Sequence, residues 1–119
     1  MENLNKILKE HIKIKDYLYN KTNQLISVFI EINLSDCKLT NEDLHYICKR
    51  LLLLYQMSNI TLKATLNLSS NIFNDINPLG RLLQENFIEI LDLSNNDFDM
   101  KILMKLLKNN TSLRELNYI

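Results

Sequence analysis

The feature that most constrains the fold is a short apolar motif that recurs three times along the chain. The copies cover residues 32–39 (INLSDCKL), 66–73 (LNLSSNIF) and 91–98 (LDLSNNDF), and a fourth begins at Leu113 and is cut off at Ile119. Matching positions recur about every 25 to 34 residues. A period in this range is typical of stacked structural repeats, each of which buries its apolar face only against its neighbours. Within each copy apolar and polar residues alternate, which predicts a short strand with one buried face.

A helical pattern follows each predicted strand. Thr40 and Asp43 have the spacing of a capping box, with Asp in place of the usual Glu. Asn77 before Pro78 predicts a cap and a first turn, and Asp99 precedes the third apolar series. The apolar residues at helix spacing are Leu44, Ile47, Cys48, Leu51 and Leu52; then Leu79, Leu82 and Leu83; then Ile102, Leu103, Leu106 and Leu107.

These residues resemble the leucine-rich repeat, whose core pattern is LxxLxLxx(N/C)xL. One copy is filled by Phe29, Ile32, Leu34, Cys37 and Leu39, and another by Ile88, Leu91, Leu93, Asn96 and Phe98. The middle copy has Leu66, Leu68, Asn71 and Phe73, with Lys63 at the first position and Leu62 as its substitute through a local shift. The segment 106–116 resembles the helix-to-strand junction of the ribonuclease-inhibitor-like, or tropomodulin-like, subclass. The resemblance covers about residues 26–119.

The resemblance implies an α/β fold: a short leucine-rich-repeat solenoid with a parallel concave sheet and helices on the convex side. Residues 25–119 then form about three full units and a terminal strand, and residues 1–24 form an N-terminal helical cap. In this family the Asn or Cys after each strand points inward and hydrogen-bonds to loop backbone, which is the role expected of Asn71, Asn96 and Cys37.

The N-terminal cap is expected to be an amphipathic helix that is broken or shifted near Ile14. Its apolar residues are Leu4, Ile7, Leu8, Ile12 and Leu18. Lysines outnumber acidic residues in this segment, at positions 6, 9, 13, 15 and 21. The excess suits a solvated cap helix, and the alternative is contact with RNA or an acidic protein.

The C-terminus falls inside the predicted fourth strand. A bare last strand presents unpaired backbone groups that invite pairing with another chain. Three explanations compete: a longer protein cut at this point, a short protein sealed by a partner, and self-association through this edge. The initial Met favours one of the last two.

Composition and motifs argue against several functional classes. Equal numbers of basic and acidic residues, 14 each, argue against a nucleic-acid binder except as part of a larger assembly. Cys37 and Cys48 form no CxxC pair, and no export signal or membrane-length apolar run occurs, which favours a reducing cytoplasmic location. His45 and Cys48 are an i, i+3 pair without a predicted orienting group or oxyanion hole. We therefore expect no enzyme activity, no cofactor, no metal and no membrane association.

The expected function is protein–protein interaction, as an adaptor, an inhibitor or a subunit of a larger assembly. The binding surface is either the concave strand face or the open C-terminal edge, and the alternative is a structural unit that homodimerises through that edge. The candidate residues are Glu31, Asn33, Ser35, Asn67, Ser69, Glu89 (or Ile90), Asp92, Ser94, Glu115, Asn117, Tyr118 and Ile119. Among them Asn33, Asn67, Asp92 and Asn117 form a polar column, and the glutamates add negative charge beside it. Fold alone does not establish this binding, because the same polar residues also keep an exposed strand face soluble.

Overall fold

The computed structural model describes residues 2–119, except for the side chains of residues 2–5 and 7, and shows a mixed α/β chain with one five-stranded sheet. The elements are α1 (Glu2–His11), β1 (Ile12–Tyr19), β2 (Leu25–Asn33), α2 (Asn41–Met57), β3 (Thr61–Asn67), α3 (Leu79–Gln84), β4 (Ile88–Asp92), α4 (Met100–Leu106) and β5 (Glu115–Asn117).

The sheet has the strand order β1-β2-β3-β4-β5, the same as the order along the chain. Strands β2 to β5 are parallel, and a helix lies in the chain between each successive pair of them. Neighbouring helices contact one another, α2 with α3 and α3 with α4. The core lies between this helix layer and one face of the sheet, where alternate strand residues such as Ile32, Leu66 and Leu91 are fully buried.

Two of the three helices that connect the parallel strands begin where polar residues supply their first N–H groups with acceptors. The predicted capping box at α2 is confirmed: Thr40 Oγ1 accepts from the Asp43 N–H at 3.3 Å, and Asp43 Oδ2 accepts from the Thr40 N–H at 2.9 Å. Asp99 caps α4 by accepting from the Lys101 N–H at 2.9 Å. The cap expected at Asn77 is wrong, because α3 begins directly after Pro78 and the Asn77 amide donates to Asp75 Oδ1 at 2.8 Å instead.

The expected helix over residues 1–24 is correct only for residues 2–11. Residues 12–19 form strand β1, which pairs antiparallel with β2. The chain reverses at Asn20, whose Oδ1 accepts from the backbone N–H groups of Thr22 and Gln24, both at 2.9 Å. Of the apolar residues assigned to this helix, Leu8 is buried in the core, Leu18 is exposed on β1, and the side chains of Leu4 and Ile7 lie outside the described residues.

The expected core position of Phe29 is wrong, whereas Ile88 is buried as expected. In the sheet, Ile88 pairs with Ala64, and Ala64 pairs with Ile30. Strands β2 and β3 alternate without interruption, so a residue three places before the buried Ile32 or Leu66 faces away from the helices. Strand β4 has an irregularity between the pairs Ala64–Ile88 and Thr65–Ile90, and this extra residue returns Ile88 to the core. No local shift toward Leu62 occurs, since Leu62 pairs with Val28.

The turns that follow β2, β3 and β4 are stacked and share one set of backbone hydrogen bonds. The N–H groups of Leu34, Leu68 and Leu93 donate to the carbonyls of Asn67, Asp92 and Asn117 at 2.7–2.8 Å. At the next step the Asp36 and Ser70 N–H groups donate to the Ser69 and Ser94 carbonyls. Asp36, Ser70 and Asn95 occupy the same place in the three turns and all have a positive φ, of 52° to 57°. Each turn therefore repeats the one before it, and Asp, Ser and Asn take the left-handed conformation in place of glycine.

The inward roles expected of Asn71, Asn96 and Cys37 are confirmed. The Asn71 amide group donates to the carbonyls of Leu34, Leu68 and Ser69, and its oxygen accepts from the N–H groups of Cys37 and Leu39. Asn96 repeats this pattern one turn later, reaching the Leu68 carbonyl at 2.9 Å. Cys37 Sγ donates to the Ser35 carbonyl at 3.4 Å. Asn71 and Asn96 therefore join each turn to the one before it, whereas Cys37 bonds within its own turn.

Candidate functional site

One face of the sheet carries no helix, and we call it the outer face. Its residues alternate with the core residues along each strand and are partly or fully exposed. The sheet register places Asn33, Asn67, Asp92 and Asn117 side by side across β2 to β5, as the sequence predicted. We call these four residues the Asx row.

The side-chain oxygens of the Asx row are already engaged in the turns. Asn33, Asn67 and Asp92 each accept, through Oδ1, from the N–H of the serine two residues later, at 3.0–3.2 Å. This bond is the Asx turn, which ends a strand and starts a reversal. The first three members of the row therefore shape the strand ends, which restricts what they can offer to a partner.

The three serines included among the candidate residues belong to these turns and not to the exposed face. Ser35 and Ser94 donate their hydroxyl protons to Asn33 and Asp92, at 2.9 and 2.7 Å. Ser69 and Ser94 are only 9% exposed. Because they are buried between neighbouring turns, Ser69 and Ser94 do not present a surface to a partner, contrary to the prediction.

The row beside the Asx row is Glu31, Thr65, Ile90 and Glu115, which we call the central row. Of the two residues predicted for the β4 position of this row, Ile90 is correct, because Ile90 pairs with Thr65. Glu89 lies in the irregularity of β4. Both predicted negative charges beside β2 and β4 have a cationic neighbour: Lys15 Nζ lies 3.1 Å from Glu31, and Arg114 Nε lies 3.5 Å from Glu89. The outer face is therefore mixed in charge and not acidic as expected.

The helix predicted for residues 1–24 gives no reason to expect Lys15 beside Glu31. The alternation Ile12-Lys-Ile14-Lys, followed by the polar residues 20–24, is the pattern of a strand and a reverse turn. An irregularity in the pairing between Ile14 and Asp16 places Lys15 out of the regular register, where its side chain reaches Glu31 on the outer face.

At the far side of the sheet, β5 is a strand of three residues that pairs with β4. Glu115 and Asn117 are exposed, and the two residues that follow are apolar and exposed: Tyr118 by 42% and Ile119 by 88%. The candidate residues of this edge therefore lie together, at the end of both rows.

Comparison with protein-family models, with curated proteins and with solved structures found no match for this chain. The area of the outer face limits how tightly a partner can bind there. Five strands at ~4.8 Å spacing and about seven residues at ~3.3 Å rise give a flat area of roughly 550 Å². A stable complex of standard size buries about 800 Å² on each partner. A partner on this face must therefore bind weakly or also contact the turns and edges around it.

Neither cysteine has a reactive environment. Cys48 lies on the buried side of α2, and burial raises the pKa of its thiol to about 12, so the thiol stays protonated at neutral pH. Burial, and then the Asp36 carboxylate, raise the pKa of the Cys37 thiol. Among the described residues, no three His, Cys, Asp or Glu side chains are grouped to hold a metal ion. No helix within residues 2–119 is both long and apolar enough to cross a membrane.

Proposed function

We propose that this chain is a short leucine-rich-repeat solenoid that binds another protein through the outer face of its sheet. The observation that carries the proposal is the partly exposed central row of Glu31, Thr65, Ile90 and Glu115, aligned across four parallel strands that are packed with helices on their other side. A flat, rigid and chemically varied row of this kind suits recognition of a protein surface.

The repeated turns support the solenoid part of the proposal. Stacked repeats bury a continuous core and present equivalent residues in rows, one per unit. The turn hydrogen bonds of Asn71 recur at Asn96, and the left-handed residue recurs in all three turns. Such recurrence follows from repeated structural units and has no counterpart in an irregular α/β sheet.

The central row is a better binding surface than the Asx row. Thr65 and Ile90 are half-buried, and their side chains form no part of the turns. Ile90 supplies an apolar centre, while Glu31 and Glu115 supply polar flanks, an arrangement typical of weak protein interfaces. We expect micromolar affinity, because the face alone offers roughly two thirds of the area that each partner buries in a standard interface.

The test is a single added charge at the middle of the row, Thr65→Lys. The variant and the wild-type protein are immobilised and used to capture partners from a native lysate, with quantitative mass spectrometry as the readout. The matched control is Gln84→Lys, which adds a charge at an exposed position on α3, on the helix side. We expect at least one partner to be lost with Thr65→Lys and kept with Gln84→Lys. Identical capture by all three proteins would refute binding through the outer face.

A second candidate function is self-association through β5. It is favoured by the exposure of Tyr118 and Ile119 beside an edge strand, because apolar side chains and unpaired backbone groups together promote strand pairing. Light scattering on the eluting protein separates the two candidates. A dimer that becomes a monomer on Leu116→Pro would support edge pairing, since Pro cannot donate a ladder hydrogen bond. A monomer at all micromolar concentrations would exclude it.

A further inference from the structure

A groove runs along the helix side of the molecule between α2 and α3, and it plays no part in the proposed outer-face site. It consists of two depressions, with volumes of about 540 and 380 Å³. Both depressions are lined by Lys49, Leu52 and Arg81, so they adjoin and form one surface. We call this surface the α2–α3 groove.

The groove combines apolar side chains with cations that form no ion pair with any side chain that the structure describes. Its lining includes the cations Lys49, Arg50 and Arg81 and the apolar residues Leu52 and Leu53, but no carboxylate. Within the described part of the chain, the side chains of these three cations form no ion pair, and Leu53 is 45% exposed. Unpaired cations beside a concave apolar floor are the complement of a ligand with one apolar and one acidic face.

The helices on either side of the groove strengthen this bias. After Asp43, α2 contains no acidic residue, and α3 and α4 contain none at all. Within α2 to α4 the basic residues Lys49, Arg50, Arg81, Lys101 and Lys105 outnumber the acidic residues Glu42 and Asp43. This local excess of positive charge favours the approach of an acidic ligand to the groove.

The shape of the surface decides between the classes of anionic ligand. A membrane surface requires a convex or flat basic patch, usually of four to eight Lys or Arg. A nucleic acid requires a basic track with stacking aromatics or a motif that enters a groove, and a neutral chain with three clustered cations does not supply it. A concave apolar floor between two helices suits an amphipathic helix, which buries residues at i, i+3, i+4 and i+7.

We propose that the α2–α3 groove docks an acidic amphipathic helix of a partner protein. The apolar face of that helix covers Leu52 and Leu53, and its carboxylates pair with Lys49, Arg50 and Arg81. This site lies on the opposite side of the sheet from the central row, so it stands or fails independently of the proposed function.

The probe for the test is a fluorescein-labelled peptide of about 14 residues, four helical turns, with Leu at i, i+3, i+4 and i+7 and mainly Glu elsewhere. Binding to the full chain is measured by fluorescence anisotropy. We expect the double variant Lys49→Glu/Arg81→Glu to weaken binding by about tenfold or more, since two charge pairs become repulsive. A mirror peptide with Lys in place of Glu should prefer the double variant to the wild-type protein.

The matched control is Lys101→Glu/Lys108→Glu, which makes the same change in net charge at exposed positions outside the groove. It should weaken binding less than about threefold, as long-range effects are screened by salt. Equal weakening by both double variants would overturn the proposal, as would absence of binding up to about 1 mM peptide. Binding of phosphatidylserine vesicles or polyuridylate RNA that is lost with Lys49→Glu/Arg81→Glu, without peptide binding, would also overturn it in favour of those ligands. Circular dichroism confirms that each variant is folded.

Discussion

Replacement of Asn71 by alanine tests the idea that one buried amide joins two neighbouring turns. The side chain is 8% exposed and makes five hydrogen bonds to backbone groups. Its amide group reaches the Leu34 carbonyl at 2.9 Å in the turn before its own, and its oxygen accepts from Cys37 at 3.1 Å and from Leu39 at 3.0 Å. Asn71→Ala removes all of these bonds and leaves the chain on both sides in place.

The expected cost follows from the backbone groups that lose a partner. Each buried polar group that loses its partner costs about 1–3 kcal/mol. This cost applies mainly to the N–H groups of Cys37 and Leu39 and to the carbonyl of Leu34. Water can enter from the outer side of the turns and recover part of the loss. We therefore expect Asn71→Ala to lower the free energy of unfolding by about 2–4 kcal/mol, a large share of the ~5–15 kcal/mol of a typical domain.

The assay is urea unfolding followed by circular dichroism, with the m-value compared between variants. Asn109→Ala is the matched control, because Asn109 is exposed, and it should change the free energy of unfolding by less than about 0.5 kcal/mol. Asn71→Asp keeps the oxygen acceptor but sets a carboxylate against the carbonyls of Leu34, Leu68 and Ser69, so it should cost at least as much as alanine. If Asn71→Ala and Asn109→Ala are equally stable, water replaces the amide without penalty and the reasoning is refuted.

Three further predictions concern the helix side. Thr40→Ala removes the capping box of α2 and should lower the free energy of unfolding by about 1 kcal/mol in the same urea assay, and no change would contradict the role of the cap. Phe87→Ala removes a buried ring that stacks on Tyr55 with 4.6 Å between the ring centroids, and it should lower the free energy of unfolding by about 3–5 kcal/mol. A loss of less than half of this value would show that the stack is loosely packed. At pH 8, iodoacetamide should modify Cys37 slowly and Cys48 only after unfolding, as read by mass spectrometry, because burial raises the pKa of Cys48 to about 12. Modification of folded Cys48 at pH 8 would contradict its burial. As the pH rises above the ordinary thiol pKa of 9.0, Cys48 ionises in the unfolded protein before it ionises in the folded protein. Cys48 therefore lowers the free energy of unfolding between pH 9.0 and about 12.

The parts of the fold that could be predicted are those in which a local signal and the repeat agree. The capping box at Thr40 and the cap at Asp99 depend on a few adjacent residues, and their chemistry is local. The inward roles of Asn71 and Asn96 came from the resemblance, and the Asx row came from counting along aligned strands. The alignment was reliable there because the motif carries the strand end and the turn together.

The parts that could not be predicted depend on pairing between strands. Residues 12–19 have an apolar pattern that also suits a helix, and only the partner strand β2 decides in favour of a strand. Phe29 is not a core residue because the repeat pattern places its first apolar position in the core only where the strand has an extra residue. Strand β4 has this extra residue, and β2 and β3 do not. The ion pair of Lys15 with Glu31 requires that residues 12–19 form a strand and that its pairing with β2 is irregular between Ile14 and Asp16. The charge of the outer face could therefore not be predicted from the sequence.

The cysteine at position 37 shows why the Asn of each turn is required by stacking and not by the turn itself. The amides of Asn71 and Asn96 each donate to a carbonyl of the preceding turn, Leu34 or Leu68. The strand that pairs with β2 on its other side, β1, is antiparallel, so among the described residues no equivalent turn lies there. The Cys37 thiol donates to the Ser35 carbonyl of its own turn. Cys37→Asn should therefore change the free energy of unfolding by less than about 1 kcal/mol, whereas Asn71→Cys should lose about 2 kcal/mol or more, because a thiol is a weak donor that cannot bridge two turns. A stabilisation by Cys37→Asn as large as the loss in Asn71→Cys would show that the Asn serves its own turn, and it would remove the physical basis for regarding the turns as stacked equivalent units.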